Sequence, residues 1–271
     1  MFTPIWGVAS KKVSASSFEE AINQVCSWTV ETAPVIVNGE PYKGLKAFVR
    51  SDNKRVLGVV GSRTRPFQNY EIFRFLNDFL DRMSIEYVGI THGGARIFVL
   101  CSLNKTDTVI GDDVVNRYLL FTNSHDGSQA IRIGFTPIRV FCSNMLKTAY
   151  ESGVFVSVKH NGDYQRLNKV RDAIESDVFD KTLEAYQMLA SKNITSDKLN
   201  EYFSHFPKKQ KLMEYFEQSN GDSYWTAYNA VNTLLNHNKQ NEKRLTSLLW
   251  GNYNKLDRLA FDKAIEMAQA V

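Results

Sequence analysis

Hydrophobic periodicity changes once along this chain of 271 residues, and that change limits the folds open to it. Up to about Lys159 the apolar residues come in short runs rich in Val, Ile, Phe and Tyr. Gly, Pro, Asn and Asp separate the runs. From Tyr164 to the C-terminus apolar residues recur only at helical spacing. Strands first and helices afterwards specify an α+β class, an antiparallel sheet core with a packed helix and then an all-helical C-terminal region. The boundary falls near Gly162, giving an α+β sheet region over 1–162 and a helical region over 163–271.

Within the first region, residues 1–16 read as an irregular arm and Ser16 or Ser17 caps a short helix over 18–25. Residues 28–37 are extended and broken by Pro34. Residues 44–50 and 55–60 form a hairpin across Ser51-Asp52-Asn53. Leu45, Ala47 and Val49 give its first strand an apolar face, and Lys46, Phe48 and Arg50 a basic and aromatic one. Asn69 starts a helix striped by Ile72, Phe73, Leu76, Phe79 and Leu80. Strands at 85–91 and 96–102 flank His92-Gly93-Gly94, and 105–113 reads as a polar loop. A long hairpin joins 118–121 to 130–135 through Asn123, Ser124, Asp126 and Gly127. Thr136-Pro137 ends its second strand, 138–141 is a third, Ser143 or Asn144 caps a helix, and 153–159 is a last strand. Beyond it, Leu167, Val170, Ile174, Val178, Leu183 and Tyr186 line one long helix. Shorter helices follow around 199–203, 209–217, 224–235, 243–249 and 256–268.

Composition narrows the function classes. No apolar run is long enough to span a bilayer, and the N-terminus has neither a basic n-region nor a long apolar core. Three widely spaced cysteines, Cys26, Cys101 and Cys142, fit reduced thiols in a cytoplasmic protein. The net charge is +4, and its distribution says more. Between Glu40 and Pro66 stand seven basic residues against two acidic ones, and between Arg117 and Lys159 five against two. The positive excess therefore sits in the sheet half, which points to an acidic partner.

Catalytic patterns are weak. Ser124, His125 and Asp126 are the residue types of a serine hydrolase, but three adjacent residues cannot converge as a relay, and no Gly-x-Ser-x-Gly elbow is present. An Asx-type loop bonding its own backbone explains them as well. His125, Asp126, Cys142 and His160 match no zinc spacing, and a strand-end Cys142 is ordinarily core. There is no Walker A sequence, and the carboxylate doublet Asp112-Asp113 reads as a solvated turn before a strand. No catalytic residue, metal or cofactor is expected. The basic set remains: Lys46, Arg50, Arg55, Arg63, Arg65, Arg132, Arg139 and Lys147, interleaved with Phe48, Phe67, Tyr70, Tyr118 and Phe135. Cations that track a backbone, with aromatic platforms between them, suit sequence-independent binding of single strands.

The run Thr122-Asn-Ser-His-Asp-Gly127, then Thr136-Pro-Ile-Arg-Val140, Cys142 and Asn144-Met-Leu146, resembles the signature of a domain-of-unknown-function family found on phages, plasmids and prophages. The likeness extends to Trp28-Thr-Val-Glu31, Val56-Leu-Gly-Val-Val-Gly-Ser-Arg63, Gln68-Asn69 and Trp225-Thr-Ala-Tyr-Asn-Ala-Val231 with His237. The order of hairpin, helix, further strands and helices is also similar to the single-strand annealing proteins typified by Redβ, RecT and Erf. That layout implies ATP-independent binding and annealing of single-stranded DNA by a homo-oligomeric ring or filament, beside a phage exonuclease or host single-strand-binding protein. Arg50, Arg55, Arg63, Arg65, Arg132 and Arg139 would contact phosphate, and Asn144 and Lys147 would position the strand. Two other classes are a metal-assisted nuclease or hydrolase at the 124–144 cluster and a protein-binding antagonist of host defence.

Overall fold

The computed structural model describes residues 9–71, 77, 80–139, 156–158, 178–237 and 241–270. Among these, nine strands form two antiparallel sheets. The larger has the order β1 (Ser10–Lys12), β5 (Ser84–Thr91), β6 (Arg96–Ile110), β7 (Asp113–Ser124), β8 (Ile131–Arg139) and β9 (Val156–Val158). The smaller is a meander of β2 (Val30–Val37), β3 (Glu40–Arg50) and β4 (Val56–Gly61). Helix α1 (Phe18–Asn23) precedes it, with Ser17 Oγ accepting from the Glu20 amide as its cap. The C-terminal half holds α2 (Val178–Ser191), α3 (Ser196–Ser204), α4 (Lys209–Gln218), α5 (Tyr224–His237), α6 (Glu242–Trp250) and α7 (Asn252–Gln269).

The runs Ile97-Phe98-Val99-Leu100-Cys101 and Leu119-Leu120-Phe121 are apolar at every position, which suits a sheet covered on both faces. Both faces are covered. Ile97, Val99, Cys101, Leu119, Phe121, Ile131 and Ile133 pack with Phe18, Trp28, Phe48, Leu57 and Phe67 from α1, the small sheet and the segment after it. Phe98, Leu100, Tyr118 and Leu120 on the other face share one core with α2–α7. The chain is thus layered as small sheet, large sheet and helices, and the helices pack onto the sheet instead of standing apart. Polar ties reinforce that join. Arg117 on β7 makes two hydrogen bonds to Asp107 on β6, at 2.6 and 2.8 Å, and reaches Asp180 on α2 at 2.8 Å. Trp225 Nε1 on α5 donates to Asp113 at 2.7 Å.

Four local expectations are corrected. The arm before α1 contains β1, which pairs with β5. The polar loop expected at 105–113 is instead a continuation of β6 and β7, paired from Thr106↔Asn116 to Ile110↔Asp113 around Gly111 at φ +52°. Cross-strand bonding and the cover of α2, whose Gln187 donates to the Thr108 carbonyl, outweigh the polar composition there. Pro137 does not end β8 but pairs with Arg117 inside it. The β9 pairing spans only Ile131–Ile133, so at Pro137 the other side of β8 carries no described ladder for a missing N–H to break. Pro34 likewise lies within β2, an edge strand, with a register shift just after it. The apolar stripe expected at 72–80 falls mostly outside the described residues, as do the helix expected after Ser143 or Asn144, the boundary near Gly162 and the long helix before Val178.

Candidate functional site

The loop after β7 folds back on itself and against the small sheet. Ser124 Oγ donates to the Gln129 carbonyl and accepts from the Gln129 amide, both at 3.1 Å. Asp126 accepts from the Ser128 amide at 2.9 Å and from Arg96 Nε at 3.2 Å. Burial opposes its ionisation, but the hydrogen bonds from Ser128 and Ser124 and the Arg96 charge outweigh burial and hold the carboxyl below its ordinary range. His125 is 1% exposed, and its Nε2 lies 2.8 Å from Asn69 Oδ1. Asn69 Nδ2 donates to the Trp28 carbonyl at 3.3 Å, which fixes the carboxamide and puts the histidine proton on Nε2. The neighbouring Gln68 brackets the Val30 backbone, accepting from its amide and donating to its carbonyl. Gly58 in β4 lies so close that a β-carbon would overlap the Asp126 backbone.

Four segments far apart in sequence therefore meet here: Trp28, Gly58, Gln68-Asn69 and Ser124–Gly127. Their side chains serve the joint between the two sheets. Ser124 Oγ is engaged by Gln129 and His125 Nε2 by Asn69, so the three residues are not aligned as a relay. Of the metal set considered above, Cys142 and His160 lie outside the described residues. Among the described residues no group of three His, Cys, Asp or Glu is placed to hold a metal ion.

Beside the joint opens a cleft of about 400 Å³ lined by Phe48, Val60, Thr64, His125, Asp126 and Gln129, among others. The small sheet carries its rim. Arg63 and Arg65, both exposed, flank Thr64, and Lys46 shares a strand face with Phe48. Arg55 is exposed, with its guanidinium over the turn at Gly93. The ion pairs of this sheet join Lys54 to Glu31 and Arg50 to Asp52. Lys43, Lys46, Arg55, Arg63 and Arg65 make none among the described residues.

Other members of the basic set lie elsewhere. Arg50 is bound into the joint: its Cζ stands 4.6 Å from the Trp28 ring centre, Nη1 donates to the Gly93 carbonyl, and Asp52 receives Nε and Nη2. Arg132 is opposite Thr122, which is opposite Phe98, so it projects from the face that carries the helices. Arg139 pairs through its backbone with Val115, while Asn144 and Lys147 lie outside the described residues. Asn123 is 1% exposed, within the large sheet. The aromatic platforms read from sequence are also corrected. Phe48, Phe67 and Tyr118 are 1%, 4% and 8% exposed and belong to the core, where a large ring gains most by burial. Tyr70 remains accessible, and Tyr42 on β3 is an exposed ring that the sequence reading missed. Its signal was its place in the Pro41-Tyr42-Lys43-Gly44 run, next to the Asn38-Gly39 turn.

The family described as domain of unknown function DUF932 matches residues 56–262. The chain belongs to the DUF932 family. No curated protein and no solved structure matches it. The DUF932 match begins at the first residue of β4 and runs into α7, taking in the Ser124–Gly127 loop, Arg63 and Arg65. Trp28, Tyr42, Lys43, Lys46 and Arg50 precede it. The joint is thus built across the edge of the DUF932 segment, with Trp28 contributed from outside. Among the described residues no helix is long and apolar enough to cross a membrane.

Proposed function

We propose that this protein binds single-stranded DNA on its small sheet and anneals complementary strands without nucleotide hydrolysis, as part of a phage or other mobile element. The observation that carries the reading is a group of five cations, Lys43 and Lys46 on β3 and Arg55, Arg63 and Arg65 flanking β4, that make no ion pair among the described residues, on a sheet whose β4 lines an open cleft. A cation already neutralised by a carboxylate gains little from a phosphate, whereas a free one releases a counterion from the DNA when it binds. Arg50 is withdrawn from the contact set by its bonds to Asp52 and Gly93 and acts by bracing the sheet. The layout of hairpin strands before further strands and helices supports the annealing class by analogy of architecture, and a homo-oligomer belongs to the same reading.

The test is anisotropy of a labelled single-stranded oligonucleotide, with the matching duplex in parallel, at two salt concentrations. Tight single-strand binding should weaken steeply with salt, the log–log slope growing by ~0.7 for each phosphate neutralised. Arg63→Ala and Arg65→Ala should each lower that slope, and Arg132→Ala should leave it unchanged. Absence of binding at low salt ends the proposal.

A further inference from the structure

Tyr42 is 53% exposed, yet its ring is seated. It lies across Gly44, where a β-carbon would come within 2.8 Å of Cε1 and 3.3 Å of both Cζ and Oη. A solvent-facing aromatic ordinarily loses rotamer freedom when a ligand orders it. Here the ring already occupies the space that a β-carbon at position 44 would need. The Gly44 carbonyl accepts from the Ser62 amide at 3.0 Å, and Leu45 pairs with Gly61, so the corner at 42–44 lies alongside Ser62 and Arg63. Thr64, the next residue, lines the cleft. Lys43 follows Tyr42 in β3 and Arg63 follows Ser62, and neither cation has an ion pair among the described residues.

We infer that Tyr42 is the stacking platform for one unpaired base of single-stranded DNA, with Lys43 and Arg63 holding the adjoining phosphates. The inference rests on the reading of the small sheet as a single-strand surface and adds the group that would separate single from double strands. In a duplex both faces of a base are covered by its neighbours, whereas an unpaired base can lie on an aromatic ring whatever its sequence. An exposed ring on the strand that also carries Lys43, close in the chain pairing to Arg63, suits that use.

The experiment uses the full chain and a thymidine oligonucleotide carrying one 2-aminopurine, whose fluorescence is quenched by stacking. Wild type and Tyr42→Phe should bind with quenching. Tyr42→Ala should bind about tenfold more weakly, without the quench at the position facing the ring and with an unchanged salt slope, because stacking neutralises no phosphate. Gly44→Ala, which displaces the ring, should fall between them, and Arg63→Ala should lower the slope while keeping the quench. Thermal unfolding confirms that each variant is folded, which an exposed site favours. Wild-type binding that Tyr42→Ala leaves equally tight and equally quenched overturns the platform while leaving the basic surface standing. Failure of the wild type to bind any single strand removes both.

Discussion

His125 and Asn69, 56 residues apart, are joined by a 2.8 Å hydrogen bond at 1% and 2% exposure, and this bond fastens the loop after β7 to the segment after β4. Losing one partner leaves a buried acceptor unsatisfied, which costs more than the bond contributes. His125→Ala should lower stability by about 1–3 kcal/mol. The effect should appear as a shift of the urea midpoint with little change in slope. If His125 served a reaction instead, the substitution would abolish an activity while leaving the midpoint in place.

Gly58 makes the same joint sensitive to volume. Its missing side chain is what allows β4 to lie on the Asp126 backbone, and neither backbone can yield as a flexible side-chain tip would. Gly58→Ala should cost about 1–3 kcal/mol by overpacking. Gly61→Ala, where a β-carbon meets only Thr64 Oγ1 at 3.8 Å, is the control and should be nearly neutral. Equal melting temperatures for the two variants would contradict the close approach.

Arg117 joins sheet to helices unequally. Its partner Asp107 is 14% exposed and Asp180 is 47% exposed. Asp180→Asn should therefore cost less than about 1 kcal/mol, as for other screened pairs. Arg117→Ala strands the Asp107 carboxylate in a half-closed site and should cost about 3 kcal/mol. Calorimetry of both variants would show the ranking, and the reverse order would place the weight of the contact on α2.

Burial pushes the Cys26 thiol up to about 12 and also raises that of Cys101 well above the ordinary value near 8.5. A folded pKa above the unfolded one contributes stability that is complete below about pH 8.5 and declines as pH rises toward 12. Stability should therefore fall from pH 8.5 to 10.5, and Cys26→Ala should reduce that decline. At pH 8 iodoacetamide should modify neither Cys26 nor Cys101 until denaturant is added, as peptide mass mapping would show. Rapid native labelling of Cys26 would mean that the layer over it opens.

Much of the architecture was legible because its signals are local. The hairpins at 44–60, 85–102 and 118–135 follow from β-rich runs around Asn, Asp and Gly, and the Ser17 cap and the helices from 196 onward follow from cap residues and 3.6-residue spacing. The stretch at 105–113 misled because Asn104, Lys105 and Asp107 look like loop, while their strand state depends on a partner strand and on α2. The candidate site was legible only in pieces. Trp28, Gly58, Gln68 and His125 could each be singled out, but nothing in their spacing told that they meet.

Alternation along β3 determined that Lys46, Phe48 and Arg50 share a face; it did not determine which layer that face would meet. The tertiary structure decided that Phe48 goes into the core, that Arg50 is engaged by Trp28, Asp52 and Gly93, and that Tyr42 stays in solvent. The reason is physical. The two-residue period of a strand comes from its own backbone, whereas burial is a property of the surface that another segment brings to it.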